Sequence, residues 1–219
     1  AFSTNVTYSD PASSMSYLSY FNQMLARGYR LGASIDHDNH NMTFGRHTRA
    51  RLVVLAPSLT ENDLLDGLKR MRFYASEDSA AKINFIINEQ PVGSIFSGRG
   101  IPKITVSGAT TSPITSISII YGTPGTGLTP TTLVSSSSPA LSYSDSTLVH
   151  LATGYYYADI READGSRIIT SPIWYTRNDS IKVEQAITFN PLPAKIYGDP
   201  DIAPAATSSN NTIPITYTS

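Results

Sequence analysis

The chain of 219 residues contains no cysteine, which excludes disulfide bonds and thiol chemistry. It has no apolar run of about 18 residues, the length that predicts a membrane-spanning helix. Charged residues make up only 15% of the chain and the formal net charge is -1. The charge balance therefore gives no indication of nucleic acid or an anionic membrane as a partner. Histidine is scarce too, with four in the whole chain.

Three of the four histidines lie in one polar segment together with two acids. These residues are Asp36, His37, Asp38, His40 and His47. Carboxylate and imidazole groups are common ligands of divalent metals. The preceding residues 29–35 predict a strand, so the segment follows the carboxyl end of a strand, where α/β folds carry their active sites. The alternative is a polar loop with turn and capping roles, because Asp, Asn and His are common in loops.

Helical and strand patterns alternate before residue 90, which predicts an α/β region. Apolar residues at spacings of three and four predict a helix over 11–28 that ends at Gly28. A short strand is predicted over 51–56 and another over 82–87. Between them a second helix is predicted to begin at Thr60 with Asp63 as its capping partner. Its predicted buried face consists of Leu64, Leu65, Leu68 and Met71.

After residue 90 the helical period disappears, and short alternating runs separated by turns rich in Gly, Pro and Ser predict an antiparallel β-sandwich. Asp164-Gly165 predicts a hairpin turn. Tyr155 and Tyr157 are expected on one face of a strand and Tyr156 on the other. Three domain ranges follow: 1–95 α/β, 96–180 sandwich, and 181–219 an appendage or the start of a repeat. The predicted strands of the sandwich are 104–107, 116–121, 131–134, 148–152, 155–161, 166–170 and 173–176.

Charged residues outside the histidine segment are weaker candidates for function. Arg49 and Arg51 are interpreted as a solvated edge rather than an anion clamp, while Arg46 stays open as a contact to substrate. Glu77 and Asp78 are interpreted as surface charge rather than as a pair of site residues. No catalytic residue can be named, because neither a nucleophile elbow nor a phosphate-binding glycine loop is present.

Several stretches resemble the bacterial secreted or surface branch of the PHP metallohydrolase family (polymerase and histidinol phosphatase). They include residues 32–40 (GASIDHDNH), 54–60 (VLAPSLT) and 68–76 (LKRMRFYAS). Residues 187–189 (ITF) and 195–199 (KIYGD) resemble the start of an MBG-type surface repeat.

The PHP resemblance implies a fold and a set of ligands. It implies the C-terminal portion of a distorted (β/α)7 barrel, followed by the antiparallel β-sandwich. Asp38 and His40 match the family's last Asp-x-His motif and would ligate metal, while Asp36, His37 and Arg46 could serve as outer-shell or substrate contacts. The family's opening His-x-His motif has no counterpart here, so the chain is expected to lack the N-terminal half of the barrel.

The resemblance also implies an activity and its requirements. The parent protein is expected to be a secreted or cell-surface bacterial hydrolase of phosphoester-like bonds, with a small phosphorylated or related substrate. It would use divalent ions such as Mn, Zn, Fe or Mg. The fragment itself is expected to be inactive without the missing N-terminal half or self-association. The alternative is a non-enzymatic surface module that acts as a spacer or binding domain.

Overall fold

The computed structural model describes most of the chain: residues 2–3, 15, 17–36, 48–181, 185–202, 205–209 and 214–217. Two compact units are present, Ala1–Asp179 and Ser180–Ser219. None of the helices in the described part is long and apolar enough to cross a membrane.

The helices and strands of these residues are few and mostly short. In chain order they are β1 (Phe2–Ser3), α1 (Leu18–Ala26), β2 (Ile35–Asp36), β3 (Arg51–Val54), α2 (Glu61–Lys69), β4 (Phe73–Ser76), β5 (Lys82–Ile87), β6 (Gln90–Pro91), β7 (Ile95–Gly98), β8 (Lys103–Ala109), β9 (Ile114–Gly122), β10 (Thr131–Ser136), β11 (Leu141–Ser144), β12 (Thr153–Glu162), β13 (Arg167–Thr170), β14 (Ile173–Arg177), β15 (Ile187–Phe189) and β16 (Ala206–Ser208).

Two sheets form the body of the first unit. The larger has eight strands in the order β10-β9-β12-β13-β4-β3, with β14 beside β12 and β7 beside β14. The smaller has the order β11-β8-β5-β6. All pairings in these two sheets are antiparallel except β7 with β14. Strands from before and after residue 95 share both sheets, since β4 pairs with β13 and β5 with β8.

The hydrophobic core is built from the alternating residues of these strands. Strand β5 buries every second side chain, because successive side chains of a strand point to opposite faces. One cluster of buried side chains lies between the two sheets, which form a β-sandwich as predicted, but a sandwich that also includes strands from before residue 95. Its larger members are Tyr74, Ile83, Phe85, Ile87, Ile104, Val106, Ile117, Ile119, Tyr156, Ile160, Ile168, Ile173 and Tyr175.

A second apolar cluster covers the opposite face of the large sheet. Tyr155 and Tyr157 belong to it, whereas Tyr156 belongs to the sandwich core, so the predicted alternation of this tyrosine run is confirmed. Helix α1 contributes Phe21 and Leu25, and the Phe21 ring meets the edge of Tyr157 at 5.9 Å. The large sheet is therefore apolar on both faces where α1 lies over it.

The prediction of an α/β region, interpreted as the C-terminal portion of a PHP-type (β/α)7 barrel, is wrong. Strands cover about 40% of the described residues and helices 10%, and the two main sheets are antiparallel apart from the pairing of β7 with β14. Strands β3 and β4, which flank α2, pair antiparallel with Val54 opposite Phe73. Helix α2 does not cover a sheet, since Leu65 and Leu68 of its predicted buried face are 42% and 40% exposed. It lies instead in the connection between two antiparallel neighbours.

Several predictions of single helices, strands and caps are confirmed. Thr60 caps α2 by accepting a hydrogen bond from Asp63 N–H, and the strand predicted over 82–87 is β5. Gly28 ends α1 with a positive φ of 95°, and the N–H groups of Gly28 and Tyr29 bond back to Leu25 and Met24. The strand predicted over 29–35 is wrong for 29–34, and the one predicted over 148–152 is wrong.

The second unit holds one antiparallel pair, β15 with β16. The rings of Phe189 and Tyr217 contact each other in this unit, with centroids 6.2 Å apart. Phe189 is nevertheless half exposed, so this contact does not amount to a closed core. The resemblance of this unit to an MBG-type repeat stays a prediction.

Candidate functional site

The predicted site residues lie mainly outside the described part of the chain. His37, Asp38, His40 and Arg46 all fall within residues 37–47, which are not described. Asp36 is described and is the last residue of β2, with an exposed side chain. The residues on either side of this segment, 33–36 and 48–51, are described.

The strand that leads into this segment belongs to a parallel pair. Strand β2 pairs parallel with β1, with Phe2 opposite Ile35 and Ser3 opposite Asp36. Two parallel neighbours need a crossover connection, and here α1 lies within it. The carboxyl end of β2 is thus the end of a strand–helix–strand unit, and residues 37–47 begin there.

Both ends of the 37–47 segment are fixed to the β body. On the entering side Ile35 is 4% exposed, and Ala33 N–H donates to the Ser171 hydroxyl at 3.1 Å. On the leaving side Thr48 and Ala50 are buried, and Ala50 N–H donates to the Thr48 hydroxyl at 3.1 Å. The segment therefore enters and leaves at defined points of one surface.

Two arginines follow the segment, and both are engaged within the protein. Arg49 reaches the carboxylate of Asp78 at 3.3 Å and that of Asp164 at 3.8 Å. The guanidinium of Arg51 donates to the carbonyls of Thr48 and Ala50, both at 2.7 Å. Because both guanidinium groups bond to other groups of the protein, these contacts argue against the anion-clamp alternative. Each side chain instead holds the chain after the segment in place.

Asp78 is the centre of a buried polar network. It accepts hydrogen bonds from Thr111 N–H at 2.6 Å, the Thr111 hydroxyl at 2.8 Å and Ala80 N–H at 2.9 Å. Burial by itself would raise the pKa of Asp78, but these hydrogen bonds and the charge of Arg49 outweigh it and hold the pKa below its usual value. Asp78 therefore remains a carboxylate without any exposure to solvent.

Two further buried carboxyl groups flank this network. Burial raises the pKa of Glu77 to about 7, although Arg167 N–H donates to its Oε2 at 2.9 Å. Burial and the nearby charge of Asp78 also raise the pKa of Glu162. The Oε1 atoms of both glutamates are buried without a hydrogen-bond partner in the described structure. The prediction that Glu77 and Asp78 are surface charge is wrong.

This acidic cluster links separate segments of the β body through hydrogen bonds and ion pairs, and it does not form a metal centre. Among the described residues no group of three or more His, Cys, Asp or Glu side chains is arranged to hold a metal. Asp78 is already occupied by backbone donors and Arg49. His150, the histidine outside the polar segment, accepts a hydrogen bond from Asp179 N–H at 3.0 Å. The described residues by themselves do not fit a metal site.

The comparisons with known proteins add no relative. No protein-family profile, curated protein or solved structure matches the chain significantly.

Proposed function

We propose that the chain is the β-rich portion of a metal-dependent hydrolase of the PHP type, acting on phosphoester-like bonds. The observation that carries the proposal is the parallel β1–α1–β2 unit, whose last strand ends at Asp36 and leads directly into the Asp/His segment. Ligands of α/β units gather at the carboxyl ends of parallel strands. Asp38 and His40 are the residues proposed to hold a divalent ion there.

The β body supports that segment. The Ser171–Ala33 hydrogen bond fixes the chain before it, and the Arg49–Asp78 pair fixes the chain after it. A metal site formed by the Asp/His segment would thus adjoin residues that the β body holds in place.

A bound divalent ion would supply an activated water and would stabilise negative charge on the phosphoryl oxygens. Asp38 and His40 are two ligands, and a catalytic zinc site normally has three from the protein. Further ligands must therefore come from another segment, such as an N-terminal half or a second copy of the chain. For this reason the 219-residue chain alone is expected to be inactive.

The proposal is tested with the product of the complete gene. We expect hydrolysis of an aryl phosphate ester that depends on added Mn²⁺ or Zn²⁺ and is abolished by Asp38→Ala or His40→Ala. His150→Ala is the matched control, because His150 lies outside the segment and bonds to Asp179. Metal-dependent hydrolysis that survives both substitutions would show that these residues are not the ligands.

A second candidate is a non-enzymatic spacer or binding module of a secreted or cell-surface protein. The observation in its favour is that residues 48–179 form a sandwich whose buried acids link separate segments of the chain. Among the described residues these acids are not arranged to hold a metal. In this case the complete gene product would show no metal-dependent turnover. The same assay therefore separates the two candidates.

A further inference from the structure

A groove runs along one side of strand β7. Its larger part has a volume of about 730 Å³ and is lined by Phe96 and Ser97, and by Asn88 and Glu89 of the β5–β6 turn. A second part of about 400 Å³ is lined by Ile95 and Phe96 and by Gln90 next to the same turn. Both parts are lined by Phe96 of β7, and we call the two together the β7 groove. It lies between an edge strand and the opposite sheet.

The strand that borders the groove has an open edge. Strand β7 pairs with β14 on one side, and the Ser94 and Gly98 carbonyls accept hydrogen bonds from Trp174 and Asn178 N–H. Backbone groups alternate in direction along a strand. The N–H and C=O groups of Ile95 and Ser97 therefore point away from β14, and no described strand pairs with them. Such an edge is a template for another strand.

The charges around the groove are mostly positive. Arg99 and Lys103 line the larger part, and Lys69 lines the smaller one. None of these three has an ion-pair partner among the described residues. The one acidic side chain in the lining is Glu89. An occupant with negative charge along its length would complement this lining.

The walls of the groove are held in place before any partner binds. Tyr175 donates its hydroxyl to the Gly100 carbonyl at 2.8 Å, and Gly100 N–H donates to Asp179 at 2.8 Å. On the other wall Asn88 bonds twice to the backbone of Lys103, through its own N–H at 3.0 Å and its side-chain oxygen at 2.9 Å. Little ordering is needed on binding, which favours affinity.

We propose that the β7 groove binds an acidic peptide segment in extended conformation, which adds as a strand to β7. The Ile95 and Ser97 backbone groups pair with the peptide backbone. Arg99, Lys103 and Lys69 meet its carboxylates. This binding does not depend on the metal site proposed above, so either proposal can fail alone.

The test uses a fluorescein-labelled peptide of alternating valine and glutamate and a matched peptide of valine and lysine. We expect the acidic peptide alone to bind, and to slow hydrogen exchange at the Ile95 and Ser97 amides. Ser97→Pro removes a groove-facing N–H that the β14 pairing does not use, and should weaken binding on the order of tenfold or more. Circular dichroism verifies that this variant folds.

Charge reversal supplies a second variant that leaves the backbone intact. Arg99→Glu with Lys103→Glu should abolish binding of the acidic peptide and create binding of the basic one. Lys82→Glu, at the far end of β5, is the control and should bind as the unaltered chain does. Absence of binding, or binding without protection of the Ile95 and Ser97 amides, would overturn the proposal. Self-association that Ser97→Pro abolishes would overturn it too, because a second copy would then be the occupant.

Discussion

The hydroxyl of Tyr156 donates a 2.8 Å hydrogen bond to the carboxylate of Asp145, and both side chains are completely buried. Asp145 also accepts hydrogen bonds from the N–H and the hydroxyl of Thr147. Burial and the hydrogen bond to Asp145 raise the pKa of Tyr156 far above its ordinary value. The neighbouring Tyr155 is equally buried, yet its hydroxyl has no partner in the described structure.

This contrast predicts opposite outcomes for one chemical change. Tyr156→Phe should lower the free energy of unfolding by about 1–3 kcal/mol, because it removes a donor from a buried carboxylate. Tyr155→Phe removes a hydroxyl that bonds to nothing described, and should change stability by less than about 0.5 kcal/mol or increase it. Urea unfolding of both variants measures the difference. Equal losses would show that the Tyr156–Asp145 bond contributes nothing specific.

Asp78→Asn should destabilise the protein by about 1–3 kcal/mol, because it weakens the network of Thr111 and Ala80 and leaves Arg49 without its buried partner. The magnitude is modest because Arg49 is itself half exposed. Asp66→Asn is the control, since Asp66 pairs with Arg70 on the surface of α2 and should cost less than about 0.5 kcal/mol. Similar losses in thermal unfolding for the two variants would contradict the role given to Asp78.

The pKa of Glu77 predicts a pH dependence with a definite sign. The pKa of Glu77 in the folded chain is about 7, whereas the ordinary pKa of a glutamate side chain is 4.5. The folded state therefore favours the protonated form of Glu77. Its contribution to stability is present below about pH 4.5 and is lost as pH rises through about 7. Glu77→Gln should remove this loss and make the variant more stable above pH 7 by about 1–3 kcal/mol.

Denaturant unfolding on both sides of this pH range tests the Glu77 prediction. Glu61→Gln is the matched control, because Glu61 is exposed at the start of α2 and its substitution leaves the buried surroundings of Glu77 intact. A Glu77→Gln profile that runs parallel to the unaltered chain would show that Glu77 does not titrate with a raised pKa.

The β5–β6 turn predicts a stabilising substitution. Asn88 and Glu89 both have positive φ, 46° and 68°, in a two-residue hairpin turn. Such turns favour Asn-Gly, because a side chain is strained in the left-handed conformation. Glu89→Gly should therefore raise the free energy of unfolding by about 0.5–1 kcal/mol. Gln90→Gly, one residue later in β6, should lower it, and stabilisation by both changes would contradict the argument.

Sequence patterns located the local features of the sandwich, because these depend on neighbouring residues. The Asp164-Gly165 hairpin between β12 and β13 and the alternation of Tyr155 to Tyr157 are examples. Strand direction could not be predicted in this way. The order strand–helix–strand around α2 fits parallel and antiparallel strands alike, and the outcome depends on whether Leu65 and Leu68 find a sheet to cover.

The buried acids were missed for a related reason. The partners of Asp78 and Glu77 are Thr111 and Arg167, which are distant along the chain, so no local pattern reveals their burial. The positive φ of Glu89 likewise leaves no trace in composition. Residues 37–47, in contrast, were singled out by composition alone, and their geometry lies outside the described residues.

Asp38 and His40 are proposed to bind a divalent ion, and NMR of the 219-residue chain with Mn²⁺ tests this most directly. Paramagnetic broadening reports even weak binding, so a site with two ligands suffices for detection. We predict that the amides of residues 36–40 broaden first, because they lie nearest the proposed ligands along the chain, and that Asp38→Ala or His40→Ala removes the effect. Broadening centred on the exposed acids of α2, or unchanged in both variants, would contradict the claim.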